Sequence, residues 1–227
     1  MSCDLEEKPL RYIIQNLERT YGVPENSRLS DPLDMLVNVI LSQATSDVNS
    51  ERTFEALKRR YPTWGKALLA RESSIAATIK SGGLSNQKAA VIKGLLRQIK
   101  EREGQLDLAM LHKMPTVEAA RYLSQFRGIG PKTIACTLLF ACRKEIFPLD
   151  THIFRVLRRI GLVPQKCSDA RAHELMAAIV PSGKHYSFHV NLIRHGRRIC
   201  RPREPLCDRC PIVEYCDFGK NEGGSEG

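Results

Sequence analysis

Three groups of residues carry types and spacings that could do chemistry. Lys132 follows the turn Arg127-Gly128-Ile129-Gly130-Pro131 and stands at the start of a helical run, PKTIACTLLFAC. A cation at a helix N-terminus faces the positive end of the dipole. That placement favours the neutral amine, which can attack a carbon centre and form a Schiff base. The same lysine could instead do no more than touch a phosphate. Asp150, eighteen residues later in PLDTHIFRV, reads as a helix N-cap whose N–H groups and dipole favour the carboxylate. A carboxylate held there could stabilise an oxocarbenium-like sugar or assist a nearby amine, or it could only cap.

The third group is Cys200, Cys207, Cys210 and Cys216, spaced Cys-x6-Cys-x2-Cys-x5-Cys; the other four cysteines, Cys3, Cys136, Cys142 and Cys167, are scattered. Structural zinc favours two close pairs, and only Cys207 and Cys210 form one. Four thiolates on one compact loop suit an iron-sulfur cluster better, with zinc left open. The turn before Lys132 has a use of its own. Gly128 and Gly130 permit positive φ and leave no side chain above the backbone, so N–H groups and a helix N-terminus can approach an anion such as a DNA phosphate. A plain helix connection with glycine at the C-cap reads equally well.

The elements that must position these residues are helices. After the N-cap Asp31 and Pro32, Leu33, Leu36, Val37, Ile40 and Leu41 share one face. The polar break SQATSD leads to a second run through Phe54, Leu57 and Tyr61. Shorter helices are expected over 65–80. The loop SGGLS precedes a longer helix over about 85–101, with Ala89, Ile92, Leu95, Leu96 and Ile99 inward. Thr116 reads as the cap of a helix running to Phe126. Beyond Asp150, Ile153, Val156, Leu157 and Ile160 lie opposite Arg155, Arg158 and Arg159. Segments 169–180 and 185–199 also read as helices, and a short one near 8–20 could pack against either end. Alternating strand patterns are absent, so the fold class is all-α.

The chain has 227 residues and a formal charge of +10, with 42% apolar and 26% charged residues. That length allows one domain or two, and the charge favours a polyanionic partner. Between Arg121 and Ile160, eight Lys or Arg residues face only Glu145 and Asp150. No apolar run is long enough to span a bilayer, and MSCDLEEKPL lacks a secretory signal pattern. These features predict no membrane partner and a cytoplasmic location, nucleoid-associated in a prokaryote, where reducing conditions disfavour disulfides.

Together, RGIGPKT, LDTHIFRV at eighteen residues from lysine to aspartate, and the cysteine loop resemble the endonuclease III family of helix-hairpin-helix DNA glycosylases over about residues 30–217. The resemblance implies two lobes. A six-helix barrel with the hairpin would occupy 30–145; 1–29 and 146–219 would form an iron-sulfur lobe, and 220–227 a disordered tail. It implies a monomer, a 4Fe-4S cluster on the four cysteines, and double-stranded DNA carrying a damaged base or abasic site as partner. Lys132 would attack C1′ and support β-elimination, with Asp150 assisting both steps; the expected substrates are oxidised or ring-saturated pyrimidines. Gln43 matches a position that enters the gap left by a flipped nucleotide, Leu84 an apolar wedge on the other side, and His152 a position near the DNA backbone. Arg127 and Ile134 stand where the family commonly has proline and alanine. The alternatives are a monofunctional adenine or thymine mismatch glycosylase and a noncatalytic DNA-binding module.

Overall fold

The structure, a computed structural model, describes residues 10–26 and 29–222. Among them are α-helices joined by loops and 3-10 turns, with no strand. The all-α expectation holds. The helices are α1 (Leu10–Tyr21), α2 (Pro32–Ser42), α3 (Asp47–Arg60), α4 (Trp64–Leu69), α5 (Glu72–Thr78), α6 (Ser85–Glu103), α7 (Thr116–Ser124), α8 (Pro131–Phe140), α9 (Thr151–Ile160), α10 (Asp169–Ile179), α11 (His185–Arg198) and α12 (Asp217–Glu222). None is long and apolar enough to cross a membrane. The chain divides into two compact units, one of residues 28–144 and one of 1–27 with 145–227.

In the 28–144 unit, α8 is the central helix. Thr133 to Leu139 are all buried, the pattern of a helix surrounded by others, and it packs on α2 and α7. Its interior hydroxyl, Thr137 Oγ1, donates to Thr133 O at 2.8 Å, so no polar atom is stranded there. Asp31 caps α2 as expected, accepting from the N–H groups of Leu33 and Asp34. Asp34 Oδ1 then accepts from Lys58 Nζ at 2.9 Å and Trp64 Nε1 at 2.8 Å, joining α2, α3 and α4. Thr116 is not the cap of α7. Pro115 holds that position without a side-chain hydrogen bond, and Thr116 is the first helical residue.

Lysines close helix ends inside this unit. Lys93 Nζ donates to Leu68 O and Ala70 O at the end of α4. Lys144 Nζ donates to His112 O and Met114 O, and the buried Lys88 does the same for Leu41 O and Gly82 O. Each supplies charge-assisted bonds to carbonyls that a helix end or turn leaves without partners.

In the other unit, α1 packs on α11, and α9 lies against α11 and α12. Ile13, Ile14, Leu17, Phe147, Ile153, Leu157, Phe188 and Leu192 build its core. Glu18 fixes α1 to α11, accepting from Lys184 Nζ at 2.9 Å and Ser187 Oγ at 2.8 Å. Lys220, where the tail was expected to begin, lies in α12; residues 223–227 are outside the described residues. The part of the 8–20 helix before Leu10, and Cys3, are outside them as well.

Candidate functional site

Lys132 is the second residue of α8, after Pro131 at the first position and Gly130 at the N-cap. Proline presets φ for a helix start, so the lysine is delivered directly from the turn. Its side chain is exposed. Unlike Lys88, Lys93 and Lys144, it makes no hydrogen bond or ion pair to another described residue. The two glycines of the turn differ. Gly128 has φ +84°, and a Cβ there would sit 3.2 Å from Val91. Gly130 has φ −91°, so the expectation of a left-handed conformation fails at this position. Its lack of a side chain instead leaves open space, with nothing within 4 Å of where a Cβ would project. Gly128→Ala should therefore cost about 1–2 kcal/mol through the left-handed backbone, read as a lowered denaturation midpoint. An equally stable variant would show that the turn relaxes.

Asp150 is the N-cap of α9, and its Oδ1 accepts from Ile153 N at 2.7 Å. It is half-buried and belongs to the unit opposite in sequence to that of Lys132. His152, two residues on, has Nδ1 3.2 Å from Arg155 Nη2. Gln43, at the C-cap of α2, and Leu84, at the N-cap of α6, are both exposed on loops. Leu84 has φ +49° and Ala44, beside Gln43, φ +53°, uncommon values for non-glycine residues.

The four C-terminal cysteines line one cavity, together with Val156, Arg159, His195, Ile199 and Ile212. All four are thiols, not disulfides. Cys207 and Cys210 bracket a 3-10 turn, and Cys216 follows a second one. Burial, and then the proximity of Cys216, Cys200 and Cys207, push the Cys210 thiol up to about 11, against a hydrogen bond from the Ile212 backbone. Donors surround the sulfurs. Gly219 N donates to Cys216 Sγ at 3.4 Å, Arg159 Nη1 to Cys200 Sγ at 3.4 Å, and His195 Nε2 lies 3.7 Å from Cys210 Sγ. The far ring nitrogen of His195 meets Tyr21 Oη at 3.1 Å. Burial and the Arg155 charge lower this imidazole to about 4, so it stays neutral, with one nitrogen for the tyrosine and one for the sulfur. Among the described residues, no three His, Cys, Asp or Glu side chains are grouped to hold a metal ion.

The sequence places Arg155 and Arg159 on the face of α9 opposite its apolar side. The structure turns both onto the cysteine loop. Arg155 Nε donates to Cys200 O at 3.0 Å, and Arg159 donates to Arg201 O at 2.6 Å and Pro202 O at 3.1 Å. Lys88 and His195 were missed too, although the signal was present. Lys88 falls four residues before Ile92, and His195 three after Leu192, each on the inward face of its helix.

Comparison with known proteins identifies the class. The HhH-GPD superfamily of base excision DNA repair proteins matches residues 37–182. Endonuclease III of Rickettsia conorii is 35% identical over 187 residues, covering 81% of this chain and 83% of the relative. Endonuclease III of Thermotoga maritima is 28% identical over 203 residues, covering 89% and 91%. A solved structure described as a trapped endonuclease III–DNA covalent intermediate has the same fold, with a TM-score of 0.82 at 22% identity and coverage of 96% and 99%. The chain belongs to the HhH-GPD superfamily of base excision DNA glycosylases and, within it, to the endonuclease III family.

Proposed function

We propose that the chain is a bifunctional enzyme that removes oxidised or ring-saturated pyrimidines from duplex DNA and then cleaves the abasic strand. The observation that carries this reading is Lys132, an exposed amine without a partner among the described residues, set in the first turn of α8 behind an open glycine turn. Its lone pair attacks C1′ of the damaged nucleotide, and the base departs with the glycosidic electron pair and takes up a proton. The amine then loses a proton and the C1′–O4′ bond breaks, with O4′ taking up a proton, to leave an iminium that acidifies the proton on C2′. Loss of that proton breaks the C3′–O bond and releases the 3′ phosphate. The Asp150 carboxylate stabilises positive charge on the sugar and assists proton transfer.

The nucleotide must leave the stack first. Gln43 fills the gap and Leu84 wedges the duplex, both from exposed loops. The turn at Gly128 and Gly130 holds a phosphate through backbone N–H groups, a contact that carries no sequence information. His152, whose Nδ1 lies 3.2 Å from Arg155 Nη2, stands near the DNA backbone.

Cys200, Cys207, Cys210 and Cys216 hold a 4Fe-4S cluster in this reading. The four thiols line one cavity, and four cysteines on a single compact loop with only one close pair suit an iron-sulfur cluster better than the two close pairs of structural zinc. The N–H donors at Cys200 and Cys216 suit sulfurs that carry charge. The cluster supplies rigidity to the loop, and no step of the excision runs through it.

Borohydride trapping on duplexes bearing a panel of altered bases tests the reading. A covalent complex with ring-saturated pyrimidines supports it; base release without trapping would make the enzyme monofunctional, and binding alone would make it a module. Asp150→Asn separates capping from chemistry. The amide oxygen can still accept from Ile153 N, so stability should change by less than about 1 kcal/mol, while excision slows about 10²-fold. An unchanged single-turnover rate would leave Asp150 as a cap alone.

A further inference from the structure

Two loops of the 28–144 unit carry Gln43 and Leu84, and two side chains tie these loops together. The Lys88 ammonium, 2% exposed, donates to Leu41 O at 2.8 Å, two residues before Gln43, and to Gly82 O at 2.7 Å, two residues before Leu84. Asn49 Nδ2 repeats the link from the other side, donating to Thr45 Oγ1 at 2.9 Å and Ser81 O at 2.6 Å. Thr53 closes the arrangement. Its Oγ1 lies 3.3 Å from Ser81 Oγ, and Gly82 packs so closely on it that a Cβ would sit at 3.1 Å.

A buried charge is a costly way to fill space, because an apolar residue of like size avoids the desolvation. Burial pushes the Lys88 pKa down from its ordinary value. The ammonium gives something an apolar side chain cannot, a link between two carbonyls on segments 41 residues apart in the chain. Each tied loop also holds a residue in the left-handed region, Ala44 and Leu84. Such conformations are strained and persist only where surroundings enforce them.

We infer that Lys88 and Asn49 form a clasp that fixes the spacing of Gln43 and Leu84, so that both enter a duplex as one preformed element. Both are positioning residues, acting through the loops and touching no DNA. This rests on the reading of Gln43 and Leu84 as the residues that displace a nucleotide. A preformed pair avoids the ordering cost that mobile loops would add on insertion, and displacement of reacting groups by about 1 Å can cost 10²-fold in rate.

The test uses a duplex with 2-aminopurine beside a dihydrouracil, whose fluorescence rises when the stack opens. Lys88→Met and Asn49→Ala should each lose most of the rise and slow single-turnover excision about ten- to a hundredfold. Affinity for an undamaged duplex, governed by phosphate contacts, should stay within about twofold. Gln43→Ala and Leu84→Ala are run beside them. If these two lose the rise while folded Lys88→Met and Asn49→Ala keep it, or lose undamaged-duplex affinity equally, the clasp is wrong and the wedge reading stands. If Gln43→Ala and Leu84→Ala keep the rise, the wedge reading fails and the clasp with it. Should Lys88→Met not fold, Asn49→Ala, which removes no buried charge, decides.

Discussion

Lys132→Ala should abolish borohydride trapping and slow base excision by roughly 10³-fold or more, because removing a covalent nucleophile forfeits the whole covalent path. The size of the effect is separable from folding. Lys132 is exposed at the second position of α8 and supports no neighbour. Alanine is at least as good a helix former there, so helix stability should move by no more than a few tenths of a kcal/mol. One phosphate-range charge is also lost, which weakens binding modestly and shows as a smaller salt dependence. Measuring single-turnover rates at saturating enzyme removes that contribution. Trapping that survives in Lys132→Ala would assign the Schiff base to another amine. Base release at the original rate without trapping would assign the reaction to an activated water.

The helical class, the Asp31 and Asp150 caps and the grouping of four cysteines were legible because each rests on local pattern. Apolar spacing, a short polar residue before a helix and close cysteines all act over a few residues. What was not legible depends on contacts distant in sequence. Thr116 looks like a cap by type, but Pro115 holds the position with no side-chain hydrogen bond, a one-residue shift that residue type does not mark. The left-handed conformations of Ala44 and Leu84 have no signature in residue type, unlike that of Gly128. Gly130 was given the same role as Gly128, yet it serves by leaving space above the turn.

Net charge misleads in a related way. The basic excess around the Lys132 motif suggests a polyanion, but several cations face inward. Lys88, Lys93 and Lys144 close backbone carbonyls in one unit, and Arg155, Arg159 and Arg194 do so in the other. A lysine among Ala89, Ile92 and Leu95 on the inward side of α6 announces such a role by register alone. The cations left exposed are the informative ones. Lys132, Arg127, Arg201, Arg203 and Arg209 are all of this kind.

Cys207→Ser should destabilise the unit that carries the cysteines and weaken DNA binding, while leaving the chemical step of the bound complex nearly unchanged. The loop from Cys200 to Cys216 has little regular structure of its own, two 3-10 turns of three residues each. Arg155 and Arg159 hold it at its carbonyls, and its four thiols line one cavity. Binding free energy of a structural metal group becomes folding free energy. Losing it belongs with the large effects, roughly 4–5 kcal/mol. Arg201, Arg203 and Arg209 sit exposed on this loop. If each meets a phosphate, failure of the loop's order removes up to three contacts, and the slope of log affinity against log salt should shrink by roughly 2–3. Lys132 and the glycine turn lie in the 28–144 unit, whereas Asp150 caps α9 in the unit that carries the cysteines; in the molecules that stay folded the Ile153 N–H still holds Asp150 at its cap and the amine keeps its place on α8. The measurements are iron and sulfide content, a melting curve, affinity across a salt series and a single-turnover rate at saturating enzyme. A variant that folds normally and binds tightly but excises slowly would show that the cysteine loop acts in the chemistry.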